Sequence, residues 1–134
     1  MSIVASAAAG LLARQRVRPW LTIGHWEGDV DIAARVADKL VDNAVSHGEP
    51  FPDGTITLRL IVNAESRELL IEVDDAFRDF LGFVEVANQG IDVKGKRCGL
   101  WWVARCNGHL AWDVKTDEDG EAVGKTVQAI LPVD

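Results

Sequence analysis

Residues 29–48 read DVDIAARVADKLVDNAVSHG, and the spacing of their apolar members decides the fold. Val36, Ala37, Leu40, Val41 and Ala44 recur at three- and four-residue steps, which on a helix gathers them into one stripe facing a core. Asp29 has the short acceptor side chain of an N-cap, and Gly48 has the permissive backbone of a stop. Asn43 falls at the edge of the stripe, with Lys39 one turn before it and His47 one turn after. An amide in that place has two readings. It is an edge-of-core residue with its own hydrogen bonds, or an oxygen ligand to a phosphate-bound metal.

The rest of the chain sets the bounds. With 134 residues, 48% of them apolar and no long apolar run, it makes one domain, 1–134, with a core of useful size. The net charge of −7 argues against a general nucleic-acid surface. The stretch SIVASAAAGLLA is too short to span a bilayer. Arg14, Arg16 and Arg18 follow it, the wrong order for a secretory signal, so no membrane association and a cytoplasmic location are expected. Cys98 and Cys106 match no common zinc spacing and are expected to be reduced thiols.

Working outward from the central helix, residues 3–15 are rich in Ala and Leu and predict a first helix. Residues 17–28 contain Pro19, Gly24 and Gly28 and read as a connection, with Trp20 and Trp26 as core anchors. The two prolines and the Asp-Gly of residues 49–54 mark a turn. Residues 55–62 alternate, with Ile56, Leu58, Leu60 and Val62 on one face, and residues 68–75 repeat the pattern with Leu69, Ile71 and Val73. Joined by the polar loop 63–67, they predict an antiparallel hairpin. The same period puts Asp75 on the face of Ile71 and Val73, toward the helices. A carboxylate buried there needs donors, which a ligand amino group would supply. The competing reading is a cap for a helical stretch near 76–88.

Residues 89–98 concentrate Lys94, Lys96 and Arg97 with Gly90 and Gly95, just ahead of Gly99 and the apolar segment 100–106. Glycines, cations and a helix start together suit a phosphate; the alternative is a solvated surface loop. Neither a dinucleotide loop nor a P-loop is present, since Asp119 stands where a P-loop needs its first glycine. Leu110, Trp112 and Val114 alternate in one strand, and Val127, Ala129 and Leu131 in a last one, after an acidic turn at 117–120. The elements predict an α/β fold: a two-layer sandwich of a mixed, mostly antiparallel sheet with helices on one face.

Taken in order, LVDNAVSHG, the hairpin ending IEVDDA, the basic glycine loop, CGLWWVARCNGHLAW and GKTVQAILP resemble the GHKL family, whose ATP-binding (Bergerat) fold is that of histidine-kinase catalytic domains. The resemblance runs from about residue 29 to residue 132. It is nearest to the stand-alone bacterial anti-sigma-factor serine kinases. It implies ATP and Mg2+ as cofactors, with Asn43 as the N-box ligand to the magnesium and Asp75 as acceptor for the adenine amino group. It places Gly99 and Leu100 at the end of the second glycine box, with Gly95, Lys96 and Arg97 in the same phosphate loop, and Thr126 beside the aspartate at the adenine end.

Four positions depart from the family pattern. Lys39 stands where the family carries its general-base glutamate, and a charged ammonium accepts no proton. Phe77 replaces a glycine two residues after the aspartate, and Arg97 and Cys98 replace glycines before Gly99. Two functions follow from the resemblance. One is an ATP-binding, anti-sigma-like regulator with protein serine kinase activity, acting on a sigma factor or its antagonist. The other is a module that regulates a protein partner by docking, with or without nucleotide. Catalytic residues and the choice between monomer and homodimer stay open.

Overall fold

The computed structural model describes residues 1–79, 100, 102–103 and 108–133. The chain begins in a three-residue strand, β1 (Ser2–Val4), and continues through helices α1 (Ala9–Ile23) and α2 (Val30–His47). Strands β2 (Thr55–Val62), β3 (Leu69–Asp75), β4 (His109–Thr116) and β5 (Ala122–Leu131) follow. The sheet order is β1-β2-β3-β5-β4, and all four described pairings are antiparallel.

α2 forms as its sequence predicts. The Asp29 carboxylate accepts from the Ile32 N–H at 3.0 Å, and Ala33, Ala34, Val36, Ala37, Leu40, Val41 and Ala44 are buried along one side. The hairpin also forms, with Leu58 opposite Val73 and Leu60 opposite Ile71. Its loop is held by the Asn63 side chain, whose Oδ1 accepts from Glu65 N at 2.9 Å and Ser66 N at 3.0 Å. The turn before β2 needs its glycine, since Gly54 lies at φ 79°.

The N-terminal region departs from expectation. Ile3 lies in a strand, not a helix, paired with Ile56 and fully buried, and the Met1 ammonium donates to the Leu58 carbonyl at 2.7 Å. α1 starts at Ala9 and continues through Pro19 to Ile23. Its buried residues Ala9, Ala13, Val17 and Leu21 keep a four-residue step past the proline, so packing on α2 outweighs the lost backbone donor. Trp20 is therefore not a core anchor; it is 43% exposed on the extended helix. Trp26 is one, 6% exposed, with its Nε1 donating to the Arg67 carbonyl at 2.9 Å.

Leu58, Val73 and Val127 form one row of the helix-facing sheet surface, and Ile71 and Ala129 the next, completing one core with α1 and α2. Leu100 and Val103 are buried in the same core. The result is a two-layer α/β sandwich with helices on one face. Among the described residues, no helix is long and apolar enough to cross a membrane.

Candidate functional site

The end of β3 and the end of α2 meet at Asp75. Its carboxylate is fully buried on the helix-facing side, as the strand period predicts. Oδ1 accepts from the Phe77 N–H at 2.8 Å, from Glu49 N at 3.5 Å and from Lys125 Nζ at 3.0 Å. Nζ is also 3.0 Å from Oδ2, in ion-pair range, yet Oδ2 accepts no hydrogen bond and is buried. Burial pushes the Asp75 carboxyl above its ordinary range, and the Lys125 bond and charge pull it back only in part. The ammonium lies 5.1 Å from the centre of the Phe77 ring, a cation–π distance.

Two glycines make this enclosure. A Cβ on Gly48 would lie 2.5 Å from Asp75 Cγ and 2.6 Å from Oδ2, and one on Gly124 would fall against the Asp75 backbone. Gly48 is in extended backbone at φ −100°, with its N–H on the Ala44 carbonyl at 3.0 Å. Glycine is needed there for close approach, not for a left-handed turn. The Ala76 N–H closes the corner on the Glu49 carbonyl at 2.7 Å.

The carboxylate faces the helix layer, as the first reading of Asp75 has it. It also accepts from the Phe77 N–H, but residues 76–79 are not helical, and the rest of the stretch it was expected to cap lies outside the described residues. The donors it needs are supplied in part by Lys125, a residue the sequence reading passed over. A pairing argument could have found it, since Lys125 is the direct cross-strand neighbour of Asp75.

Thr126 is not beside Asp75. It pairs with Asp74 and donates to Asp74 Oδ1 at 2.6 Å on the opposite face of the sheet. There Asp74 is gripped by Arg59, whose Nη1 and Nη2 lie 2.5 and 2.8 Å from its oxygens, and by Lys115 Nζ at 3.0 Å. Arg59 also reaches Glu72 at 3.2 Å, which accepts from Gln128 at 2.8 Å. Beside this network opens a shallow groove of about 380 Å³ lined by Arg59, Glu72, Asp113, Thr126 and Gln128. It is separate from the helix-side corner.

Asn43 is buried, 8% exposed, on α2 one turn before His47. Lys39, one turn earlier, is half-buried. Asp38 and Asp42 turn toward α1, where both meet the space over Gly10, and Asp38 Oδ2 pairs with Arg14 Nη2 at 2.7 Å. They therefore serve the helix interface. Leu100 contributes its side chain to the core, and Trp102 stacks under the Arg35 guanidinium of α2 at 4.4 Å. Gly95, Lys96, Arg97 and Gly99, together with Cys98, Cys106 and most of the expected helical stretch 76–88, lie outside the described residues. Among the described residues, no group of three or more His, Cys, Asp or Glu side chains could hold a metal by itself.

No family model matches the chain. No curated protein matches it. Among solved structures, it is similar to the histidine kinase domain from the Erythrobacter litoralis EL346 blue-light activated histidine kinase. The TM-score is 0.48 at 22% identity, covering 78% of this chain and 46% of that one. The chain thus spans a little under half the length of that solved domain.

Proposed function

We propose that this chain is a regulatory domain that binds an adenine nucleotide at the corner between α2 and β3, with Asp75 as the base-recognising group. One observation carries the reading: a carboxylate with no exposed surface, whose Oδ2 accepts no hydrogen bond and has only the ion-pair contact with the Lys125 ammonium at 3.0 Å. A buried carboxylate held by one ammonium and two backbone N–H groups keeps unused acceptor capacity, which an amino group supplied by a ligand takes up. Asn43 would supply one oxygen ligand to a magnesium ion held mainly by phosphates. When bound, the ion would neutralise phosphate charge. The chain's own residues orient the nucleotide: Asp75 at the base end and Asn43 one helix turn from the end of α2.

The test is calorimetric titration with ATP and ADP, with and without magnesium. Saturable binding that weakens by about 1–3 kcal/mol in Asp75→Asn is the expected result, since one buried acceptor is lost. Absence of binding at millimolar nucleotide overturns the reading.

The second reading is docking without phosphoryl transfer, onto a protein partner of the sigma-factor or antagonist class. Lys39 in place of a base favours it, because a positioned base assists transfer and an ammonium does not. Transfer of labelled phosphate from ATP to a co-purified protein would decide for the kinase, and its absence alongside binding for the docking module.

A further inference from the structure

We propose that Lys125 is a built-in competitor for the Asp75 carboxylate, so that a nucleobase amino group engages Asp75 only by displacing the ammonium. The inference rests on the nucleotide reading above. Lys125 Nζ is 3.0 Å from both carboxylate oxygens, and the two side chains are 3% and 0% exposed. Neither group presents surface to a ligand while the pair is closed. The Lys125 stem leaves β5 directly opposite Asp75, beside Gly124, whose missing side chain lets the strands close on each other. The Phe77 ring gives the ammonium a second attractive surface at 5.1 Å.

The exchange is unequal. An ammonium on a carboxylate pairs two full charges, whereas an aromatic amine brings only a neutral donor to the same carboxylate, and the pair of charges is the stronger. A base entering the corner therefore trades a strong partner of Asp75 for a weaker one, and affinity falls accordingly. Lys125 sets that affinity without lying among the phosphates.

Titration of ATP into the wild-type chain and into Lys125→Met tests this, since methionine keeps the length and the contact with Phe77 but not the charge. Lys125→Met is expected to bind ATP about tenfold more tightly, and Lys125→Arg to stay as weak as wild type. Equal or weaker binding by Lys125→Met overturns the proposal while the nucleotide reading stands. Failure of every form to bind ATP or ADP overturns the nucleotide reading itself. Should Lys125→Met not fold, amine-selective labelling of the wild-type chain, mapped by mass spectrometry, gives the same answer. Lys125 is expected to be protected without nucleotide and to gain label at saturating ATP; unchanged or reduced labelling overturns the displacement.

Discussion

Asp74 and Asp75 are consecutive in β3, both fully buried, and their carboxyls are driven in opposite directions. Burial raises both. At Asp74 the bonds from Arg59, Thr126 and Lys115 outweigh it and hold the carboxyl below its ordinary range. At Asp75 one lysine and two backbone donors do not, and the carboxyl stays above it. The strand's period of two separates them, sending one into a polar network on the open face and the other into the helix-side corner. The open face is thereby committed to stability, and the corner keeps a carboxylate whose needs are only partly met.

Arg59→Met is expected to destabilise the fold by about 1–2 kcal/mol, between an exposed and a buried pair, because Arg59 is 36% exposed and Lys115 and Thr126 remain on Asp74. The sign with pH follows from the lowered carboxyl. Its contribution is present above the ordinary value of 3.8 and is lost as pH falls through the lower folded value. Acid unfolding of Arg59→Met should begin at a higher pH than in wild type, measured by circular dichroism. An unchanged acid limb would count against the network.

Asp42 behaves in the other sense. Burial raises its carboxyl, the hydrogen bond and charge of Asp38 add to this, and Lys39 and Arg14 oppose it. A carboxyl raised in the folded state contributes stability at low pH that is lost as pH climbs from 3.8 through the raised value. Asp42→Asn should be more stable than wild type near neutrality, with the two converging at about pH 4. Urea melts across that range read the difference directly.

Gly28 lies against the Trp26 indole, and a Cβ there would come within 2.7 Å of Cζ3. The ring cannot retreat without giving up its hydrogen bond to the Arg67 carbonyl. Gly28→Ala should cost about 1–3 kcal/mol in chemical denaturation, as overpacking does. It should also shift the tryptophan emission.

Lys39→Glu replaces a cation one turn from Asn43 with a carboxylate. Under the nucleotide reading proposed above, the ammonium would pair with phosphates and partly stand in for magnesium, so the variant should bind nucleotide with a stronger dependence on magnesium. The same ATP affinity with and without the ion in both proteins would refute this.

The sequence by itself determined the central helix with its Asp29 cap, the alternating hairpin, the two closing strands and hence the two-layer α/β architecture, and the face on which Asp75 points. These rest on local periodicity and one short-range hydrogen bond. Tertiary structure alone decided three further features. Residues 2–4 became a strand because β2 offered them partners. α1 ran through Pro19 because α2 gave its buried side a surface to pack on. Thr126 went to Asp74 and Lys125 to Asp75, because a period of two tells which residues of one strand share a face but not which residues of another lie opposite. That register comes from pairing across 50 residues of chain between Asp75 and Lys125, and it placed a lysine where the sequence left room for a ligand.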